Sequence, residues 1–171
     1  PGKLKKDGWA DKIYQAADRG EIQHSQCPGM MREYIGPSLD TTIFGTGNLL
    51  RLLSENRDQW ELLKADRGLV PDAINEALRI DSPLRSFTRF VREDTDFEGT
   101  TVPAGDRLIV LYASANRDER KWGNPDVFDI RRAPRDHVAF GYGIHTCAGM
   151  HLAKLEMTAL LNAMLDKVAY F

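Results

Sequence analysis

The apolar positions in the first half of the chain predict three helices. Between residues 30 and 53 they recur every three or four positions, which is the period of a helix with one buried face. A short apolar cluster around Trp60 predicts a second helix that ends before the Asp-Arg-Gly sequence at 66–68. Pro71 is suited to the first turn of a third helix that runs to Ile80.

After position 83 the pattern changes to short runs that are typical of strands. We predict strands at 87–91, 100–102 and 108–113, with turns at 98–99 and 103–106. Residues 114–135 are rich in polar residues, Pro and Gly, and they predict a long ordered loop held by Trp122 and Phe128. A last helical repeat carries apolar residues at Leu152, Leu155, Met157, Leu160, Leu161, Met164 and Leu165. The sequence therefore predicts a mainly α fold with a small β-sheet part.

Composition and charge fit one globular domain over residues 1–171. Hydrophobic residues make up 42% of the chain and charged residues 28%, which is enough apolar material for a core. The net charge of −2, with both signs interspersed, argues against a nucleic-acid partner and against attraction to a membrane. The longest apolar runs are far shorter than the roughly 20 residues of a membrane-spanning helix. Two cysteines in unrelated contexts form no disulfide framework, so we expect a cytoplasmic protein.

Cys147 lies in a glycine-rich segment just before the last predicted helix. The positive end of that helix dipole favours a thiolate over a thiol, and the thiolate is the form that binds metal. Gly141 and Gly143 let the backbone approach a flat partner and direct N–H groups at the sulfur, and Gly149 leaves room against the same partner.

Zinc binding, attachment of a c-type haem and a small buried apolar role are the alternative interpretations of this cysteine. Zinc bound by His145, Cys147 and His151 fails on ligand count, because the chain has four histidines in all and no second close ligand pair. A c-type haem would need a Cys-x-x-Cys-His sequence, which is missing. A small buried apolar role is common for an isolated cysteine, but it does not account for the residues around this one.

Those residues match a six-position pattern, Phe-Gly-x-Gly-x-His-x-Cys-x-Gly. The matching positions are Phe140, Gly141, Gly143, His145, Cys147 and Gly149. The pattern resembles the cysteine loop of cytochrome P450 enzymes, and the resemblance to soluble bacterial members covers nearly the whole chain. It implies the C-terminal portion of the cytochrome P450 fold, from the oxygen-binding helix to the helix after the cysteine. It also implies haem b (iron protoporphyrin IX) as cofactor, with Cys147 as the axial ligand of the iron.

Glu76 and Arg79 stand three positions apart on a predicted helix and so share one face. They resemble the Glu-x-x-Arg pair that holds the haem-side core of the family to its meander loop. Many members have an arginine where this chain has Val127. The resemblance therefore implies that Arg117 or Arg132 supplies the third charge of the network.

Asp40 and Thr41 resemble the acid–alcohol pair on the oxygen-binding side of the haem. In this role Asp40 would relay protons and the Thr41 hydroxyl would donate to bound dioxygen. The alternative is that Thr41 bonds back to the helix and Asp40 is solvated. Pro37 has no N–H and is expected to break or kink the helix near this pair.

Further resemblances assign residues to the cofactor edge and to the substrate. Arg89 and His145 stand where the family binds the haem propionates, and both carry donors suited to carboxylates. A solvent-facing strand position is the alternative for Arg89. Leu84 and Phe87 resemble residues that line the substrate pocket.

The resemblance implies a haem-dependent monooxygenase. Such an enzyme inserts one atom of O2 into a small organic substrate by hydroxylation or O-dealkylation. The members that this chain resembles most act on small aromatic compounds. Electrons would come from NAD(P)H through a ferredoxin reductase and a ferredoxin. A peroxide-driven peroxygenase is the nearest alternative. Because family members are more than twice as long, we expect a fragment that lacks the N-terminal helices and final strands, and a non-catalytic remnant with impaired haem binding is the rival hypothesis.

Overall fold

A computed structural model describes residues 3–171, and helices dominate it. The α-helices in this part of the chain are α1 (Trp9–Asp18), α2 (Cys27–Glu55), α3 (Arg57–Ala65), α4 (Val70–Ile80), α5 (Tyr112–Ala115) and α6 (Met150–Lys167). Short 3-10 turns lie at His24–Gln26, Arg67–Leu69 and Gly143–His145. The predicted mainly α fold with a small β part is confirmed. No helix within residues 3–171 is both long enough and apolar enough to cross a membrane.

The β part consists of two separate antiparallel pairs. Strand β1 (Phe87–Phe90) pairs with β4 (Arg107–Val110), and β2 (Thr95–Phe97) pairs with β3 (Thr100–Val102). Glu98 and Gly99 connect β2 to β3, and both have positive φ, as a tight hairpin turn requires. The sequence pattern did not predict β2, whose residues are all exposed and so lack an apolar alternation. It also extended the last strand to 113, whereas Tyr112 already begins α5.

Two compact units divide the chain, and the boundary falls within α2. The smaller unit ends at Thr41, and its core is formed by Ile13 and Ala17 of α1 together with Cys27. Helix α1 was not predicted, although these apolar positions are spaced as on one helix face. The larger unit is Thr42–Phe171.

The core of the larger unit is built around α4. Most residues of this helix are buried, and it packs against α6 and the C-terminal part of α2. The long loop before the cysteine contributes Phe128 and Ile130 to the same core, and Trp122 is buried as well. The prediction of an ordered loop held by Trp122 and Phe128 is therefore confirmed. A loop anchored in this way can present the following segment in a fixed position.

Gly45 allows α2 to pack closely against its neighbours. A Cβ atom at this position would lie 3.3 Å from Leu78 Cδ2 and 3.3 Å from Pro83 Cγ. A larger side chain would therefore push against both α4 and the segment that follows it. Gly47, two residues later on the same helix, has nothing within 4 Å of the corresponding atom.

Gly45→Val is predicted to destabilise the fold by about 1–3 kcal/mol through overpacking. Gly47→Val is the matched control, because it adds the same side chain to the same helix in open space; it should stay within about 1 kcal/mol of the parent chain. Urea unfolding followed by circular dichroism measures both values. Equal effects of the two substitutions would show that the close contact at Gly45 does not limit the packing.

Candidate functional site

Cys147 is presented by a short loop closed by its own backbone. The Cys147 N–H donates to the Phe140 carbonyl over 2.8 Å, and Gly141 N–H donates to the Val138 carbonyl over 3.0 Å. Cys147 is exposed, and the 18-residue helix α6 begins three positions later at Met150. The thiol therefore lies beside the N-terminus of a long helix, where the helix dipole stabilises a negative charge.

Two glycines are required by the conformation of this loop. Gly141 has φ of 76°, and a Cβ atom there would lie 2.9 Å from the His145 carbonyl oxygen. Gly143 has φ of 64° and opens the 3-10 turn. A Cβ at Gly149 would lie 3.8 Å from Cys147 Sγ, which is ordinary contact. Gly141 and Gly143 are thus needed by the backbone itself, in addition to the approach to a flat partner expected from the sequence.

A buried charge cluster stands behind the loop. The Glu76 and Arg79 side chains have 0% exposure and form two hydrogen bonds, Nε to Oε2 at 2.8 Å and Nη2 to Oε1 at 2.9 Å. Arg132 Nε donates to Glu76 Oε1 over 2.9 Å, and Asp129 N–H donates to the same oxygen over 3.2 Å. Both carboxylate oxygens are therefore satisfied, as a buried charge requires.

Of the two candidates for the third charge, Arg132 contacts Glu76 and Arg117 does not. Arg132 also donates to the carbonyls of Gly123, Asn124 and Val127. The long loop therefore curves around the Arg132 guanidinium. Arg117 instead donates to the Ile80 carbonyl over 2.9 Å and pairs with an exposed carboxylate, Asp126.

Arg89 lies on β1, opposite Leu108, and is partly buried. Its guanidinium donates to Tyr112 Oη over 3.2 Å and to the Thr88 carbonyl over 3.0 Å. Within residues 3–171, no carboxylate lies within ion-pairing distance of Arg89 or of His145, and His145 is exposed. Leu84 and Phe87 are exposed on the same segment at 39% and 50%.

The acid–alcohol pair belongs to the smaller unit, at its end. Thr41 Oγ1 donates to the Pro37 carbonyl over 2.6 Å, which is the back-bonded arrangement named as the alternative. Asp40 is exposed and has no hydrogen-bond or ion-pair partner among residues 3–171. Helix α2 continues through Pro37, so the break that was expected there is absent. A back-bond from a Thr hydroxyl to the carbonyl four residues earlier tends to bend a helix, and the kink at Pro37 stays a prediction.

This arrangement matches a known protein family. A sequence profile described as Cytochrome P450 matches residues 48–168, which is well over half of the chain. The chain belongs to the cytochrome P450 family. The match includes the cysteine loop and the charge cluster.

Individual relatives agree with this assignment. Cytochrome p450 CYP199A2 of Rhodopseudomonas palustris is 36% identical over 162 residues, which cover 95% of this chain and 39% of the relative. Cytochrome P450-terp of a Pseudomonas species is 44% identical over 129 residues, which cover 75% and 30%. The structure of the tirandamycin C-bound P450 monooxygenase TamI has a TM-score of 0.90 at 36% identity, over 96% of this chain and 42% of that one. The chain thus spans less than half the length of each.

The residues present fit the haem that the P450 family binds. An exposed thiol at a helix N-terminus is a suitable soft ligand for iron. Arg89 is a partly buried guanidinium without a carboxylate partner among residues 3–171, which suits a propionate. Cys147 would hold the iron, and Arg89 and His145 would bind the propionates.

Sequence reasoning missed three side chains that hold the cysteine loop. His137 Nδ1 accepts from Ala139 N–H at 3.2 Å, and its Nε2 lies 3.3 Å from Asn75 Oδ1. Asn116 Oδ1 accepts from Val138 N–H over 2.8 Å. An Nδ1 that accepts requires the neutral Nε2–H tautomer. Burial, with smaller contributions from Lys154 and other cations, lowers the pKa of His137 to about 4 and keeps it neutral.

The buried cluster predicts a large cost for removing its carboxylate. Glu76→Gln is expected to destabilise the fold by on the order of 3–5 kcal/mol, because it leaves the buried Arg79 guanidinium without a counter-charge. Glu61→Gln is the matched control, because Glu61 forms an exposed pair with Lys64 at 3.5 Å and should cost less than about 1 kcal/mol. Chemical denaturation measures both. Similar small costs would mean that the Glu76 charge contributes little to the fold.

Acid is predicted to weaken the fold through His137. The folded pKa is about 4, below the ordinary value of 6.5 that applies to the unfolded chain. As pH falls from 6.5 towards 4, the unfolded chain takes up a proton that the folded chain does not, so stability falls across this window and is retained in full above it. The shift corresponds to a loss of about 3 kcal/mol.

The measurement for His137 is the free energy of unfolding as a function of pH. Carboxylates titrate in the same range, so the informative quantity is the difference between the parent chain and His137→Gln, which cannot titrate. The parent chain should lose more stability than the variant between pH 6.5 and 4. Parallel curves would contradict the assignment of a neutral, buried His137.

Proposed function

We propose that this protein is a haem-dependent monooxygenase that inserts one atom of O2 into a small organic substrate. The observation that carries the proposal is the exposed Cys147 thiol, set in the Phe-Gly-x-Gly-x-His-x-Cys-x-Gly loop at the start of α6. The names of related proteins, such as the P450 monooxygenase TamI, support the reaction class. We favour an aromatic compound as the substrate and hydroxylation or O-dealkylation as the reaction.

When bound, thiolate-ligated haem supplies the activation of dioxygen. The task of Cys147 is to donate electron density as a thiolate, and the α6 dipole together with the closed loop keep that charge at a fixed position. Arg89 and His145 orient the cofactor through its carboxylates. The hydrogen bond from Arg89 to Tyr112 Oη restrains the guanidinium, which reduces the entropy lost on binding.

Asp40 relays protons and Thr41 donates a hydrogen bond in this proposal. The exposed Asp40 carboxylate can take a proton from solvent and pass it on, and the Thr41 hydroxyl can donate its hydrogen bond to dioxygen after it releases the Pro37 carbonyl. Leu84 and Phe87 offer apolar contact to the substrate. Electrons from NAD(P)H through a ferredoxin reductase and a ferredoxin complete the proposed reaction, as the resemblance to soluble bacterial members implies.

The absorption spectrum of the haem-loaded protein, reduced and bound to carbon monoxide, tests the proposal. The parent chain should show the strongly red-shifted Soret band of a thiolate-ligated haem, and Cys147→Ser should abolish it. Cys27→Ser is the matched control, because Cys27 is a buried thiol of the smaller unit and its loss should leave the band in place. An unshifted or absent band in the parent chain would overturn the proposal and favour a remnant with impaired haem binding. If the parent chain shows the red-shifted band, a screen of methoxy-aromatic compounds for spin-state shifts would narrow the choice of substrate.

A further inference from the structure

The segment that enters the cysteine loop is fixed at Val138. Its N–H donates to Asn116 Oδ1 over 2.8 Å, and its carbonyl accepts from Gly141 N–H over 3.0 Å. Two residues later, the Phe140 carbonyl accepts the N–H of Cys147 over 2.8 Å. Both main-chain hydrogen-bonding groups of Val138, its N–H and its carbonyl, are thus used to set the turn that precedes Cys147.

Asn116 itself is buried and forms hydrogen bonds through both its side chain and its main chain. It is 1% exposed, and its Nδ2 donates to Ser82 Oγ over 3.0 Å. Its main-chain carbonyl accepts from Arg79 Nη1 over 2.7 Å, and its N–H donates to the Tyr112 carbonyl over 2.9 Å. A side chain with so few alternative positions is a rigid support for Val138.

Asn116 also joins two parts of the fold. Its main-chain carbonyl accepts from Arg79, a member of the buried cluster of Glu76, Arg79 and Arg132, and its side-chain oxygen accepts from the Val138 N–H in the segment 137–147. A displacement of the cluster can therefore reach the loop through this buried residue.

We infer that Asn116 is a positioning residue for the Cys147 sulfur. Removing its side-chain oxygen leaves the Val138 N–H without its partner, and the turn from Val138 to Gly141 loses its support on one side. The Phe140 carbonyl and the Cys147 backbone would then move together. That the sulfur is an iron ligand rests on the proposed function, whereas the control of the loop by Asn116 does not.

Three variants separate this role from simple stability. Asn116→Ala removes the acceptor for Val138. Asn116→Asp keeps an oxygen acceptor at the same place and is the conservative rescue. Ser82→Ala removes the partner of Asn116 Nδ2, and with it a bond from Ser82 Oγ to the Leu78 carbonyl, but leaves the Val138 bond intact.

The first readout is amide hydrogen exchange in the haem-free chain. Asn116→Ala should speed exchange of the Gly141 and Cys147 amides by about tenfold relative to those of the buried residues Ile74 and Leu161, which matches the loss of one hydrogen bond. Asn116→Asp and Ser82→Ala should leave this ratio within about threefold of the parent chain. An equal increase at all four amides, or the same increase in Ser82→Ala, would overturn the inference.

The second readout is the reduced, carbon monoxide-bound spectrum of the haem-loaded chain. Asn116→Ala should lower the share of haem in the red-shifted form, and Ser82→Ala should not. A full share in Asn116→Ala would overturn the role in placing the sulfur. If the parent chain shows no red-shifted band, the proposed function fails, and the exchange ratios still decide whether Asn116 controls the loop.

Discussion

The structure depends on one buried interaction, the pairing of Glu76 with Arg79. Taking both charges out of water costs several kcal/mol for each ion, so the pair stabilises the fold only if every polar atom is satisfied. Glu76 accepts from Arg79, Arg132 and the Asp129 N–H, and Arg79 reaches the Asn116 carbonyl. These partners come from the long loop and from the end of α5. The loop must therefore adopt one conformation for the charged side chains of Glu76 and Arg79 to be buried with all their partners.

This requirement explains how a loop with little secondary structure can support a precise site. Arg132 binds three loop carbonyls in addition to Glu76, and the Arg79 guanidinium lies 5.4 Å from the centre of the Trp122 ring. Gln59 of α3 accepts the Ile130 N–H over 3.0 Å, which ties a second helix to the same loop. Loop ordering costs conformational entropy at each residue, and this set of charged and apolar contacts offsets it.

How much of the fold and of the candidate site could be predicted depends on how far apart in the sequence the residues that form each feature lie. Helices α2, α3, α4 and α6 and the cysteine loop carry local signals, namely apolar spacing and a dense motif, and they were found in the right places; α1 and α5 were missed. Strand β2 is exposed throughout and so lacks the apolar alternation that marks a strand, although its partner β3 follows directly. The pairing of β1 with β4 joins segments far apart in the chain, which spacing along the chain does not encode. The choice between Arg117 and Arg132 had the same origin, because both lie in the loop and the fold decides which reaches Glu76. Asn116 lies inside the predicted loop 114–135, but its partners Ser82 and Val138 lie 34 and 22 positions away.

Arg89, the proposed propionate donor, and the thiol loop are both connected to Tyr112. A flat cofactor with carboxylates at one edge needs a cation and a metal ligand at a fixed separation, although the two belong to segments far apart in sequence. Tyr112 Oη accepts from Arg89, and the Tyr112 carbonyl accepts from Asn116 N–H over 2.9 Å. Asn116 in turn holds Val138 at the entrance to the loop. The short helix α5 and Asn116, which follows it, therefore link the Arg89 guanidinium to the Cys147 loop by hydrogen bonds. A displacement of one segment can be passed to the other along these bonds.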